Sequence, residues 1–598
     1  MGRPPLNFDE ASERTKRRKT EEMRSTFSSS ELAFASQMSL RAAGACNAGV
    51  TVKDLPSTIQ HRVTNYIDSL RLSQISQTSE LCAETALSIL MEAKLSKHQY
   101  CIIRSAAIAN SSSFLPSYEK LKEAKKMCYP EDITVTEISA EVILQSLLNH
   151  TCLRIIKTQQ DVIDSLNVNI LSNFILILKW GFDGSSGHSE YKQRFADGKN
   201  SDANVFLTSL VPLELLCTNS VLGQDVILWK NRTPSSTRFC RPIRLQFLHE
   251  NVHTSINEKD YIEDKIKSLV PLIIVQHKIE IKIHYKLVMT MIDGKVCNAI
   301  TLTKSTMRCY LCSATSSQFS NINLVKEIKV DESKLEYGLS TLYAWIRFFE
   351  CFLHLGYKLG IKKWQARSDM EKSIILQHKL LIQNAFKLQL GLIVDRPKPG
   401  CGNTNDGNTA RRFFKNSQVS ADILGVDLEL INRFHVILQV LSSGFPIDAD
   451  KLDNYSTKTA LLFVEKYPWY KMPTTVHKVL IHGALITKTA ILPIGQLSEY
   501  AQKSRNKDLK KYREDFSRKN SRKNTMHDVF CRLLVSSDPA ISSLLKSHAK
   551  VSRSLSSQAL QMLLPPEINE NSETHSSVIE FFNNISIIND SDDSGDLF

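Results

Sequence analysis

The sequence predicts an α+β protein that is mostly helical. Three observations support this: helical periodicity from about residue 55 to 165, a group of strand-like runs between 174 and 292, and renewed helical periodicity from Cys312 to about residue 550. A chain of 598 residues is too long for one hydrophobic core, so we expect several domains.

Each predicted element shows either a helical repeat or a run of apolar and β-branched residues. The elements are helices at 79–97 and 117–127, strands at 174–183, 205–216, 243–248 and 281–292, and a helix at 257–269 before the last of these strands. In the helical second half of the chain, Pro, Gly and Asn residues predict a loop at 397–408.

The composition is that of an ordinary soluble protein, with 42% hydrophobic and 23% charged residues. No run approaches the roughly 20 apolar residues that a membrane span needs, so we expect no membrane association. The first residues lack the apolar core of a signal peptide, so we expect no secretion by that route. The 13 cysteines are therefore expected to be reduced thiols or metal ligands rather than disulfides.

Positive charge is concentrated in two places, within a chain of net charge +13. Residues 503–523 hold ten Lys or Arg against three acids, and a short run near the start consists of Arg14, Lys16, Arg17, Arg18 and Lys19. Such a cluster attracts a phosphate backbone by counterion release, although it is also compatible with a solvated surface. The short run also has the character of a nuclear import signal.

The two ends of the chain differ in charge. At the start, Arg3 stands between Gly2 and Pro4. A slim arm with one arginine fits a DNA minor groove. The alternative is a disordered chain end. After Arg553 the chain has eight acids and no Lys or Arg. We expect this acidic tail to be disordered.

Two aspartates follow predicted strands and are each followed by glycine. Asp183 ends the strand that begins at Phe174, and Asp293 comes after the strand that ends at Ile292. Carboxylates at the ends of neighbouring strands can hold one or two Mg²⁺ ions, which activate a nucleophile and stabilise the leaving oxygen in phosphoryl transfer. Each Asp-Gly pair taken alone is also the sequence of an ordinary turn.

Two pairs of possible zinc ligands lie far apart in the chain. Cys309 and Cys312 form a C-x₂-C pair, and His477 and His482 form an H-x₄-H pair. Together they have the composition of a Cys₂His₂ zinc site that joins distant segments. The alternatives are two core cysteines and two ordinary helix histidines.

A series of short motifs resembles one family. The segment Lys179-Trp-Gly-Phe-Asp-Gly-Ser-Ser-Gly-His-Ser-Glu-Tyr-Lys192 looks like the first-aspartate motif of Transib transposases, which are relatives of the catalytic subunit of the vertebrate V(D)J recombinase. The similarity continues, in order, through residues 293–299, 309–312, 344–350, 405–411, 477–482, 492–499, 505–507 and 536–539. It covers roughly residues 1 to 545.

The resemblance implies an RNase H-like catalytic core with an Asp-Asp-Glu active site and a large helical zinc-binding insertion. Asp183 and Asp293 match the first two acids, which bind catalytic Mg²⁺ or Mn²⁺. Cys309, Cys312, His477 and His482 match the ligands of a structural Zn²⁺. The resemblance also implies helical N-terminal DNA-binding and dimerisation domains, a homodimer, nuclear location, and terminal inverted repeats and target DNA as partners.

Candidate DNA-binding residues come from the basic runs and from the loop at 397–408. They are Arg3, Arg14, Lys16, Arg17, Arg18, Lys19, Asn408, Arg411, Arg505, Lys507, Lys510, Lys511 and Arg513. Asn408 and Arg411 are the candidates for steering DNA at the cleavage point.

The expected domains follow from the positions of the motifs. They are an N-terminal DNA-end-binding region with a basic arm (1–75), a helical dimerisation and DNA-binding region (76–170), the RNase H-like core (171–305), helical insertions with the cysteine pair (306–415) and the histidine pair (416–495), the third-acid helix with a basic C-terminal domain (496–550), and the acidic tail (551–598).

The third acid departs from the family pattern. The family has a Glu three residues before the Asn of an Asn-Lys pair, and here that position is Lys503. Glu499 lies one helical turn earlier and is a possible substitute. Two functions therefore stay open. The first is a DDE transposase and endonuclease that excises DNA by nicking, hairpin formation and strand transfer. The second is a catalytically impaired or domesticated DNA-binding derivative. The third hypothesis is a basic helical protein of no particular family that contains a structural zinc.

Overall fold

The computed structural model of the protein describes residues 11–43, 80–110, 112–165, 173–188, 195, 201–219, 224–276, 279–398, 402–545 and 555–564. Arg3 and most of the predicted acidic tail lie outside these ranges. The chain divides into two compact units, one formed by residues 1–80 with 104–115 and the other by residues 81–103 with 116–598.

The described part of the first unit contains two helices and the end of a third. Helix α1 spans Glu13–Thr26 and helix α2 spans Ser29–Ala42. Each begins after a serine, Ser12 or Ser28, whose side-chain oxygen accepts a hydrogen bond from a backbone N–H in the first turn. Helix α1 buries none of its side chains, so the N-terminal basic run is presented on its surface.

The second unit is built around a mixed sheet of eight strands. They are β1 (Ile133–Val135), β2 (Ser139–Val142), β3 (Asn173–Ser185), β4 (Val205–Asn219), β5 (Gln224–Lys230), β6 (Arg241–Gln246), β7 (Leu272–Gln276) and β8 (Ile279–Met289). The strand order is β1-β2-β6-β4-β3-β8-β7, and β5 also pairs with β4. The pairing of β3 with β8 is parallel, and the other pairings are antiparallel.

Helices precede and follow the sheet, so the prediction of a mostly helical α+β fold is confirmed. The earlier helices are α3 (Ala83–Glu92), α4 (Lys97–Ala109), α5 (Tyr118–Lys126), α6 (Leu144–Thr158) and α7 (Gln160–Asp164), and α8 (Val252–Lys267) lies between β6 and β7. Helix α8 agrees with the helix predicted at 257–269. In the described ranges, the helices are too short or too polar to cross a lipid bilayer.

The helices after β8 form the rest of the second unit. They are α9 (Gly294–Ile300), α10 (Ile322–Glu327), α11 (Thr341–Lys358), α12 (Asp369–Leu390), α13 (Gly407–Lys415), α14 (Ser417–Leu424), α15 (Leu428–Ser442), α16 (Ala449–Lys466), α17 (Thr474–Thr489), α18 (Tyr500–Asp515), α19 (Arg522–Ser536), α20 (Pro539–Leu544) and α21 (Ser557–Leu560). Aromatic side chains of α11, α13 and α15, including Phe352, Phe413 and Phe434, contact one another in the core of this helical region.

The four strands predicted from sequence are all present. Strand β3 is buried without a break from residue 176 to residue 183, and Phe174, Leu176, Leu178, Trp180 and Phe182 are all nearly or fully enclosed. Both faces of this strand are covered, which explains its nearly continuous apolar sequence. Strands β1, β2, β5 and β7, which have three to seven residues, were not predicted from the sequence.

Residues 555–564 pack against the helical region. Leu555, Ala559, Met562 and Leu563 are buried, and Leu563 forms an isolated antiparallel bridge with Ile447. Part of the segment that follows Arg553 therefore contributes to the hydrophobic core.

Candidate functional site

The pairing of β3 with β8 brings Asp183 and Asp293 together. The parallel register continues to Trp180 opposite Met289, and the carbonyl of Trp180 then accepts hydrogen bonds from the N–H groups of Thr290 and Met291 at 3.2 and 3.1 Å. A Cβ atom on Gly181 would lie 2.2 Å from the carbonyl oxygen of Met291. Only glycine permits this close approach of the two backbones.

Lys503, on helix α18, lies between the two aspartates. Its ammonium donates a hydrogen bond to Asp183 Oδ1 and lies 3.7 Å from Asp293 Oδ2. Asn506, one turn later, donates from Nδ2 to Asp183 Oδ2 at 2.5 Å. Both oxygens of Asp183 are therefore engaged by side chains of α18.

Asp293 has its own set of partners. Its Oδ1 accepts a hydrogen bond from the N–H of Val296 at 2.9 Å and so caps helix α9. The hydroxyl of Tyr343 donates to Oδ2 at 3.5 Å. The carboxylate is thus held at the start of a helix, where the helix dipole favours negative charge.

Burial and ion pairing act together on the charges of this centre. Burial raises the pKa of Asp183 to about 6, although the ammonium of Lys503 acts in the opposite direction. Burial disfavours the charge on Lys503, but Asp183, Tyr343 and Asp293 outweigh it and raise the pKa of the ammonium above its ordinary value. Lys503 is therefore held as an ammonium cation beside Asp183 and Asp293.

Three polar anchors fix helix α18 over the sheet. Lys179, fully enclosed in β3, donates to the carbonyls of Gln496 and Ser498 at 2.8 and 2.7 Å, just before the helix begins. Gln502 donates to the carbonyl of Leu207 in β4 at 2.8 Å, and Arg505 donates to the carbonyl of Cys240 at 2.9 Å. These contacts set the rotation of the helix, so Lys503 is directed at Asp183.

Glu499 occupies a separate pocket. It is 1% exposed and accepts a hydrogen bond from the hydroxyl of Ser340 on Oε1, while Oε2 is enclosed without a hydrogen-bond partner in the described structure. Burial raises its pKa above the ordinary value of a glutamate. Among the described residues, Asp183, Asp293 and Glu499 do not bring one oxygen atom each to within 4.8 Å of the other two.

Two neighbours of the aspartates were not predicted from sequence. Glu250 accepts hydrogen bonds from the N–H of Gly184 at 2.8 Å and from the ammonium of Lys295 at 3.0 Å. Tyr343 contacts Asp293 through its hydroxyl and places its ring 5.6 Å from the Lys503 ammonium. Neither residue follows a local motif, and only the folded chain brings them to this centre.

The two predicted pairs of metal ligands come together at a second site. Cys309, Cys312, His477 and His482 are all buried, and one ligand atom from each lies within 4.8 Å of the other three. Cys312 Sγ and His477 Nε2 are 3.4 Å apart, and Phe319 stacks on the His477 ring at 4.1 Å. Tetrahedral zinc holds its ligand atoms roughly 3–4 Å apart, so this cluster can hold a metal ion such as zinc.

Buried polar atoms in the cluster support metal binding. His477 Nδ1 and His482 Nε2 are enclosed, and the described structure gives neither a hydrogen-bond partner. Burial lowers the pKa of His477, which favours the neutral ring that a metal needs. A buried polar atom without a partner is costly, and coordination of a metal removes that cost.

Five of the predicted DNA-binding residues line one groove of about 1000 Å³. They are Asn408, Arg411, Lys507, Lys510 and Lys511, and the groove is also lined by Lys94 and Arg238. Acidic side chains, including Asp406 and Asp508, lie on the same walls. Arg411 is mostly buried and lies 5.6 and 5.2 Å from the rings of Trp345 and Tyr500.

Two other predicted DNA-binding residues are directed into the protein. Arg505 is 1% exposed and donates to backbone carbonyls and to Ser536 Oγ at 2.9 Å. Arg513 is buried and donates to the carboxylate of Asp202 at 2.7 Å. These contacts indicate that both arginines stabilise the fold.

In the N-terminal run, Arg14, Arg17 and Arg18 are exposed, and Lys16 and Lys19 are half-buried.

Comparison with known proteins adds no assignment: no protein-family model matches the chain, and no curated protein matches it. The Asp183 and Asp293 carboxylates are positioned as a pair, an ammonium stands between them, and a Cys₂His₂ cluster lies on a neighbouring part of the second unit.

Proposed function

We propose that this chain is a Transib-like transposase derivative that binds the terminal inverted repeats of DNA as a homodimer in the nucleus, with its cutting centre closed by Lys503. The observation that carries the proposal is the ion pair of Lys503 with Asp183 and its 3.7 Å approach to Asp293. A cation of the chain itself stands between the carboxylates that would hold catalytic Mg²⁺ or Mn²⁺.

The electrostatic consequence is large. A unit charge 4 Å from a dication, at an effective dielectric of about 20, gives a repulsion of about 8 kcal/mol. Since about 1.4 kcal/mol corresponds to a tenfold change in affinity, a divalent metal does not fit this centre while Lys503 is in place. We therefore derive no cutting step through a metal for the wild-type chain.

The topology of the sheet supports an RNase H-like core. Three antiparallel strands, β6, β4 and β3, adjoin strand β8, which is parallel to β3. Asp183 lies near the end of β3, and Asp293 follows β8 at the same edge of the sheet. Helix α18 then crosses this edge and carries the position of the third acid. This arrangement agrees with the fold that the motif resemblance implies.

The Cys₂His₂ cluster supports a zinc-bearing insertion. Cys312 and His477 are 165 residues apart in the chain and in contact in the fold. A Zn²⁺ bound by all four residues would join the segment that follows α9 to helix α17. Its contribution would be to stability rather than to chemistry, since four protein ligands leave no open position.

The alternative of an active transposase depends on Glu499. The hydrogen bond from Ser340 and the complete burial of Glu499 hold its carboxylate in a pocket of its own. A cutting centre would require Glu499 to leave this pocket and Lys503 to leave Asp183. The geometry therefore favours DNA binding over cleavage.

The test is a binding and cleavage assay with DNA that carries the inverted repeats flanking this gene. We expect the wild type to bind this DNA in preference to a scrambled duplex, with an affinity that falls steeply with salt, and not to cut it in Mg²⁺ or Mn²⁺. Lys503→Glu is expected to cut, and adding Asp293→Ala should abolish that cutting.

Two results would contradict the proposal. Cleavage by the wild type that disappears in Asp293→Ala would show that the centre is active despite Lys503. An equal affinity of the wild type for repeat and scrambled DNA would show that the protein does not recognise the DNA ends specifically.

A further inference from the structure

A cleft of about 590 Å³ lies between Asp293 and Cys309. One wall is the start of helix α17, with Thr474, Thr475 and Lys478, and Asn298 of α9 lies on another. The cleft is thus next to the centre described above and is separate from the groove that contains Lys507.

The start of helix α17 is the positive end of a 16-residue helix without a side-chain cap. Pro473 occupies the capping position and provides no hydrogen bond, and the first turn contains no acid. The first N–H to bond within the helix is that of His477, to the carbonyl of Pro473 at 2.9 Å. The preceding N–H groups, at Thr474, Thr475 and Val476, therefore have no acceptor in the helix, an arrangement that favours an anion.

Lys478 adds an independent charge to the same wall. The residue is 9% exposed, and its ammonium lies 4.7 Å from the ring of Tyr310, which also lines the cleft. Among the described residues it has neither a hydrogen-bond acceptor nor a carboxylate partner. The side chain is mostly buried and its charge has no ionic partner, so an anion beside it is stabilising.

The other charged residues of the cleft are already paired. Lys295 bonds to Glu250 at 3.0 Å, and Arg347 bonds to Glu350 at 2.6 Å. The carboxylate of Asp293 is shared among Val296, Tyr343 and Lys503. The unmatched charge of the cleft is therefore positive and comes from Lys478 and the start of α17.

We propose that this cleft binds a phosphate group of the DNA strand that passes Asp293. Lys478 supplies the charge, and the free N–H groups at the start of α17 and the hydroxyl of Thr475 supply hydrogen bonds to the phosphate oxygens. The identity of the phosphate as DNA rests on the proposed function, whereas the anion site itself rests on the geometry of the cleft.

Two variants test the site in the full-length protein. Lys478→Met keeps the packing on Tyr310 and removes the charge, and Thr475→Asp keeps the helix start and places a carboxylate in the cleft. Each should weaken binding of the repeat DNA roughly tenfold and lower the slope of log affinity against log salt by about one. The matched control is Lys488→Met, which changes an exposed lysine at the other end of α17 and should bind as the wild type.

Binding of inorganic pyrophosphate, measured by calorimetry, separates the cleft from the DNA function. We expect millimolar binding by the wild type that is lost in Lys478→Met, with an unchanged zinc content. Unaltered DNA affinity and salt slope in both variants would overturn the proposal, as would pyrophosphate binding that is absent or independent of Lys478. A wild type that binds pyrophosphate through Lys478 and no DNA would keep the anion site and contradict the proposed function.

Discussion

The ammonium of Lys503 donates a hydrogen bond to the carboxylate of Asp183, a residue 320 positions earlier in the chain. Asn506 takes the second oxygen of the same carboxylate, so one turn of helix α18 satisfies Asp183 completely. The space between Asp183 and Asp293 is thus occupied by an internal cation, the ammonium of Lys503.

The approach of the two backbones at Gly181 predicts a large loss of stability in Gly181→Ala. The new Cβ would lie 2.2 Å from the Met291 carbonyl, and that backbone holds Asp293 in place. We expect the free energy of unfolding to fall by about 1–3 kcal/mol or more. Chemical denaturation measures this change.

The matched control for that prediction is Gly294→Ala. A Cβ at Gly294 meets nothing within 4 Å, and Gly294 begins helix α9. This variant should be unchanged or more stable by about 0.4–1 kcal/mol. Equal destabilisation of the two variants would contradict the claim that the close approach is specific to Gly181.

Lys179 predicts a dependence of stability on pH. Burial lowers the pKa of its amine to about 7, and a neutral amine has two N–H groups for the carbonyls of Gln496 and Ser498. Between pH 7 and the ordinary lysine pKa of about 10.4, the unfolded chain binds a proton that the folded chain does not. This group therefore makes the fold more stable as pH rises through that range, by at most about 1.4 kcal/mol per pH unit.

The measurement is the difference in pH dependence between the wild type and Lys179→Met. The variant should lose the rising stability between pH 7 and 10, although its overall stability also falls because two buried carbonyls lose their donor. Parallel stability curves for the two proteins over this range would contradict a neutral Lys179 in the fold.

The Cys₂His₂ cluster predicts about one zinc per chain. Cys309→Ser should lose the zinc and melt at a lower temperature, because the metal joins segments that are far apart in sequence. The control is Cys82→Ser, an exposed cysteine that caps helix α3, which should retain both zinc and stability. Elemental analysis that finds no zinc in the wild type would contradict the prediction that these four residues bind zinc.

The sequence predicted what is encoded in local patterns. Apolar runs predicted β3 and β4, the Asp-Gly pairs indicated Asp183 and Asp293, and the two ligand pairs were visible from their spacing. Residues whose roles depend on tertiary contacts were missed. Glu250 reaches Gly184 across 66 residues, and no motif marks it.

Lys179 could have been noticed from sequence. It is a charged residue inside the apolar run of β3, and such a residue needs buried partners. What the sequence could not provide is the identity of those partners, which lie 317 and 319 residues later. The burial of Arg505 and Arg513 was likewise hidden, because a basic run does not show which of its residues face the sheet.

The most direct test of the account is Mn²⁺ binding at the Asp183 centre, measured by electron paramagnetic resonance on the wild type, Lys503→Glu and Lys507→Glu. Lys507→Glu makes the same change of charge one turn later on α18, at an exposed position. We expect Lys503→Glu to bind Mn²⁺ and to lose that binding when Asp183→Ala is added, while the wild type and Lys507→Glu show no Asp183-dependent binding. Mn²⁺ binding by the wild type that matches Lys503→Glu and disappears in Asp183→Ala would contradict the claim that Lys503 closes the centre.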